Sequence, residues 1–135
     1  LRADSYYGLS KAFGEVLAAY FADKHALPVI SIRIGSVTEK PADERRTHLW
    51  CSPRDLARLI VLSLKRTERQ HRIVYGVSNC HEPFFDNSSA EALGYDPLDR
   101  AEPWPSPPDP EDPENWFVGG YFASRGMHLG SHPAQ

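Results

Sequence analysis

The chain has 135 residues and a formal net charge of −3 at pH 7, enough for one domain and too little for two ordinary ones. Hydrophobic residues at 41% and charged residues at 24% are the balance of a folded globular protein. There is no basic excess to hold a nucleic-acid backbone or an anionic lipid surface, and no apolar run approaches the ~20 residues of a membrane span. We therefore expect neither a nucleic-acid nor a membrane partner. Cys51 and Cys80 lie far apart without metal-ligand spacing, and the six histidines are scattered. A disulfide scaffold is excluded, and no metal site is expected.

The chain opens on Leu1 and runs at once into a helical pattern. With no initiator Met or leader in view, we expect the rear part of a longer, cytoplasmic protein. Ser5 to about Lys24 reads as a helix, with Asp4 or Ser5 as its cap. Leu9, Phe13, Val16, Leu17, Tyr20 and Phe21 recur near a 3.6-residue period. A second face carries Tyr7, Lys11, Gly14 and Ala18, polar at the front and small at the back.

Pro28 to Ile34 is β-branched and reads as a buried strand that Gly35 ends. The pattern from Ser36 to Leu49 dissolves into charges and turns. Ser52-Pro53-Arg54-Asp55 is a helix start, with Ser at N-cap, Pro at N1 and Asp at N3; the helix continues to about Lys65. A second strand follows at Arg72–Val77, then a short helix at Ser88–Leu93 stopped by Gly94. This alternation predicts an α/β domain with a parallel sheet. Residues 1–96 form the domain. Residues 97–135 hold most of the twelve prolines and read as a Pro-rich arm and tail, anchored by Trp104 and Trp116.

Tyr7 and Lys11 sit four residues apart at a helix start, a spacing that puts both on one face. A free phenol titrates near 10 and is a poor base at neutral pH; a fixed cation beside it favours the phenolate. Such a pair can take a hydroxyl proton while hydride leaves for a cofactor. The same spacing also occurs in solvated surface pairs, so the pair alone does not decide. Cys80 beside His81 reads as an ordinary thiol, His48 as a loop histidine, and Asn87-Ser88-Ser89 as a chance glycosylation pattern.

Tyr7-Gly8-Leu9-Ser10-Lys11 with Phe13-Gly14-Glu15, and a strand ending Arg33-Ile34-Gly35-Ser36 one helix later, resembles the extended short-chain dehydrogenases/reductases. This is the NAD-dependent epimerase/dehydratase family. Within it the chain is most similar to the uronate dehydrogenase branch, through Lys40-Pro41, Asp43, Arg45, Trp50, Ser52, Asp55-Leu56, Arg58-Leu59, Val74-Tyr75-Gly76, Asp86-Asn87, Leu93-Gly94-Tyr95 and Gly119-Gly120.

The resemblance implies the C-terminal half of a Rossmann-type NAD(P)-binding fold. It implies NAD as cofactor, with NADP left open, and oxidation of a hexuronate such as galacturonate or glucuronate at C1 to an aldarolactone. Tyr7 is then the base and Lys11 its partner, bonded also to the nicotinamide ribose. Val37 contacts the nicotinamide side through backbone groups, Ser36 touches the sugar acid, and Arg45 pairs with its carboxylate. That last role has independent chemical sense, because a guanidinium fork matches a carboxylate bidentately. The family often dimerises through the first helix, which makes a homo-oligomer of the full-length protein an expectation.

The family's glycine-rich pyrophosphate loop has no counterpart in the chain, and its catalytic Ser or Thr precedes the tyrosine by more residues than the six available. These residues alone are therefore expected neither to bind NAD tightly nor to turn over. Two alternatives stand beside this reading: a nucleotide-sugar epimerase or dehydratase of the same superfamily, and a non-catalytic NAD(P)-binding interaction protein.

Overall fold

A computed structural model describes residues 3, 5–103, 111, 118 and 119. The first helix, α1, runs Tyr6–His25. Ser5 Oγ caps it by accepting from the Gly8 N–H at 3.1 Å. It ends at Ala26, whose left-handed backbone (φ 54°) turns the chain toward the sheet. Lys24 and His25 occupy the last turn, where cations suit the negative end of the helix dipole.

Strand β1 (Val29–Ile34) pairs in parallel with β4 (His71–Gly76), in register from Val29–His71 to Ile34–Gly76. A parallel pair needs a crossover, and the intervening chain provides one. It holds β2 (Ser36–Val37), α2 (Glu44–Thr47), β3 (Trp50–Cys51) and α3 (Pro53–Leu64). Strands β2 and β3 form their own short parallel pair, Ser36 with Trp50 and Val37 with Cys51. A one-turn helix, α4 (Ser88–Glu91), follows β4, and Gly94 (φ 89°) takes the positive-φ turn beyond it. The architecture is α/β with parallel strands, consistent with a Rossmann-type fold.

The two faces of the β1–β4 sheet differ in character. Ile30, Ile32 and Val74 point to one side, where Leu59 and Leu62 of α3 meet Ala90, Leu93 and Tyr95 in the hydrophobic core. The other side carries Ser31, Arg33, His71 and Tyr75. There Ser31 Oγ meets His71 Nε2 at 2.9 Å, and Arg33 reaches up to α1. Helix α1 turns Gly8, Ala12, Glu15, Ala19 and Ala22 inward, and Ala22 is its one buried residue among those described. The apolar stripe of α1 lies outward, with Phe13 67% and Val16 60% exposed. That side also carries Val29 and Ile73, and on it Glu15 finds Arg33.

Asp55 at the start of α3 knots the fold together. It is fully buried, and both its oxygens accept: Oδ1 from the Leu98 N–H at 2.9 Å, Oδ2 from Ser78 Oγ at 2.7 Å and the Asp99 N–H at 3.0 Å. Ser52 Oγ caps α3 by accepting from the Asp55 N–H at 3.0 Å and donates to Asp99 Oδ2 at 2.6 Å. Residues 98–101 are thereby fastened to the body, and Asn79 pairs with Arg100 in an isolated parallel bridge. The remainder of the proline-rich 97–135 segment, with Trp104 and Trp116, lies outside the described residues apart from 102, 103, 111, 118 and 119. Asp55→Asn turns an amide N–H₂ toward a buried donor. It is expected to cost about 2–4 kcal/mol, read as a lower urea midpoint at unchanged slope.

Candidate active site

Helix α1 presents Tyr7 in its first turn and Lys11 one turn on. The Lys11 ammonium lies over the Tyr7 ring, Nζ 5.1 Å from the centroid. Both line the mouth of a cleft of about 460 Å³ between α1 and β1, whose other walls are Gly14, Glu15 and Ser31–Ile34. Tyr7 is 66% exposed, so its ring meets solvent at the cleft.

The floor of the cleft is charged. Arg33 donates to Glu15 through Nε and Nη2, each at 2.8 Å, and through Nη1 to the Tyr75 hydroxyl at 3.2 Å. The bonds from Arg33 hold the Glu15 carboxyl below the usual carboxylate range, against the opposing effect of burial. Glu15 in turn holds the Arg33 guanidinium firmly protonated. Tyr75 stacks on Phe85 with ring centroids 4.6 Å apart.

Strand β1 ends at Gly35, and the chain steps into β2, which carries Ser36 and Val37. The Ser36 N–H donates to Leu49 O at 2.8 Å, and Trp50 Nε1 donates to Thr38 O at 2.7 Å, so the loop after β2 is held from both sides. Arg45 sits on α2, which Asp43 caps by accepting from the Arg46 N–H at 2.8 Å. Its Nη1 donates to Val118 O at 2.9 Å, bringing the far end of the chain to this loop. Tyr7 and Lys11 thus share one cleft, and Ser36, Val37 and Arg45 are not among its lining residues.

His48 ties the same loop to the one after β4. Its Nδ1 lies 3.0 Å from His81 O and 2.9 Å from Glu82 O, so that nitrogen donates, and its ring stacks on Phe84 at 4.9 Å. Cys51 is buried, and desolvation pushes its thiol up to about 12; burial also raises Cys80. Burial thus disfavours the nucleophilic thiolate at both. Among the described residues no three His, Cys, Asp or Glu side chains gather for a metal ion. None of the described helices is long and apolar enough to cross a membrane.

No family model matches the chain. It is 39% identical over 132 residues to the uronate dehydrogenase of Pseudomonas syringae pv. tomato, a match covering 93% of this chain and 48% of that protein. Over nearly all of its length the chain is similar to uronate dehydrogenases.

Solved structures of such relatives superpose closely. A mutant uronate dehydrogenase from Agrobacterium tumefaciens complexed with NAD gives a TM-score of 0.82 at 34% identity, over 93% of this chain and 50% of that one. Glucuronic acid dehydrogenase from Chromohalobacter salexigens gives 0.80 at 37% identity, over 90% and 48%. The chain spans about half the length of the relatives it matches.

The Glu15–Arg33 pair is the feature that sequence reasoning passed over. Its signal was present: Glu15 follows Lys11 by one turn, and Arg33 is the one charged residue in a β-branched strand.

Proposed function

We propose that the chain is the C-terminal half of a Rossmann-type, NAD-dependent dehydrogenase that oxidises a hexuronate at C1 to an aldarolactone. In this reading residues 1–96 complete the dehydrogenase domain, and residues 97–135 form an arm and tail. The observation that carries it is the Lys11 ammonium seated over the Tyr7 ring at the mouth of a cleft, in a relative of uronate dehydrogenases.

Tyr7 and Lys11 would bring a hydroxyl and an ammonium to the nicotinamide end of NAD from one face of α1. NAD, when bound, supplies the hydride acceptor. Lys11 and the backbone at Val37 hold it, Ser36 bonds the sugar acid, and Arg45 pairs with the carboxylate to set which carbon faces Tyr7. Tyr7 takes the proton from the C1 hydroxyl.

The test uses the full-length protein and follows NADH formation with glucuronate, galacturonate, glucose and a UDP-sugar. Both uronates are expected to react, with glucose lower in kcat/KM by about 10²-fold or more, the size of a lost charge-assisted pair. Arg45→Lys is expected to remove much of that preference, since a lysine cannot form the bidentate fork. Equal turnover of glucose and glucuronate would overturn the carboxylate assignment. Activity confined to the UDP-sugar would favour a nucleotide-sugar enzyme.

A further inference from the structure

We propose that the Glu15–Arg33 ion pair is a positioning element that sets the rotation of α1, and so aims Tyr7 and Lys11 at the loop carrying Ser36 and Val37. The assignment rests on the dehydrogenase reading of Tyr7 and Lys11.

Three observations carry it. First, α1 is not aligned by an apolar core. Its stripe faces outward, and Ala22, near its far end, is its one buried residue among those described. Within this chain the front half, where Tyr7 and Lys11 sit, meets the sheet through Glu15.

Second, Glu15 supplies a restraint one turn from Lys11. Two parallel charge-assisted bonds at 2.8 Å fix both the distance and the plane of the carboxylate, which a single bond would not do. The Glu15 side chain is 14% exposed and that of Arg33 37%, so solvent reaches the pair from the arginine side while the carboxylate is held within.

Third, the guanidinium is itself immobilised. Its third contact is the Tyr75 hydroxyl at 3.2 Å, and its central carbon lies 5.7 Å from the Tyr75 ring centroid, while that ring stacks on Phe85. Arg33 stands two residues before Gly35, on the strand that delivers Ser36 and Val37. One pair of side chains thus registers the helix of the base against the strand of the substrate loop. A four-residue turn rises only about 6 Å, so a small roll at Glu15 reaches Lys11 and Tyr7 directly.

The test compares wild type, Glu15→Gln, Arg33→Lys and Tyr7→Phe in the full-length protein with NAD and glucuronate, each rate divided by the folded fraction. Glu15→Gln is expected to lower kcat by about 10- to 100-fold, the scale of a misplacement near 1 Å, with KM for either substrate within about threefold. The isotope effect with C1-deuterated glucuronate should rise as hydride transfer becomes limiting. Arg33→Lys, keeping one charge-assisted bond, should fall between Glu15→Gln and wild type and serves if Glu15→Gln folds poorly. In the cofactor-free protein, amide hydrogen exchange in the first turns of α1 should quicken in both variants. The proposal is overturned if both variants match wild type in kcat and isotope effect, or if the loss of rate tracks the folded fraction alone. Retention of activity by Tyr7→Phe would instead overturn the dehydrogenase reading beneath it.

Discussion

Tyr7→Phe in the full-length protein is expected to lower kcat by about 10³-fold, within the range that a positioned acid–base group contributes, while the fold persists. The substitution removes one oxygen and leaves the ring on which Lys11 rests. Because Tyr7 is 66% exposed, its hydroxyl makes little contribution to packing, and stability should change by less than about 0.5 kcal/mol. The cation–ring contact survives, so binding of NAD should be nearly unchanged, and the loss should appear in kcat with little change in KM. A binding protein with a degenerate site would show no such loss, because it would have no proton to transfer. The measurement is steady-state NADH formation beside a thermal melt of each protein. Full activity in Tyr7→Phe would remove the phenol from the chemistry and leave the Tyr7–Lys11 pair as a surface contact.

Much of the fold was legible because its signals are local. The capped start of α3 follows from Ser52, Pro53 and Asp55 alone, and Ser52 Oγ does accept from the Asp55 N–H. The main strands follow from β-branched runs, and each lies within a residue of its expected start. Strands β2 and β3 were not legible. Two-residue pairings have no periodicity, and they exist because Leu49 O lies where the Ser36 N–H can reach it, a contact set by the whole crossover. The direction in which α1 faces was also hidden. Its apolar period marks a stripe but not what lies opposite, and Arg33, which Glu15 meets, stands eighteen residues on. Asp55 read as a helix-start residue, since nothing in its neighbourhood reveals that the backbone at Leu98 and Asp99 also bonds to it. For the site, the spacing of Tyr7 and Lys11 located one end, and the structure brings those two together. The Glu15–Arg33 pair beneath them joins distant segments, which spacing within one helix cannot show.

Gly35→Ala is the substitution expected to damage the fold most. A Cβ at Gly35 would stand 1.9 Å from Leu49 O and 3.0 Å from Leu49 C, with Val77 Cγ1 at 2.9 Å. Two of these are backbone atoms, so no rotamer change relieves the overlap. Leu49 O is also the acceptor for the Ser36 N–H at 2.8 Å, and the Gly35 N–H donates to Gly76 O at 3.1 Å. Moving either strand aside therefore breaks a hydrogen bond that holds β2 in place. An overpacked site of this kind, with bonds lost as well, should cost about 3 kcal/mol or more. Gly14→Ala is the contrast, because a Cβ there meets nothing within 4 Å among the described residues and a helix interior prefers alanine. It should leave the urea midpoint unchanged or raise it by the equivalent of about 0.5–1 kcal/mol. Folded Gly35→Ala protein should also lose kcat/KM for the sugar acid more than NAD affinity, since the displaced strand carries Ser36. If Gly35→Ala melts with wild type, the close approach of the two strands does not exist in solution, and the position assigned to Ser36 and Val37 falls with it.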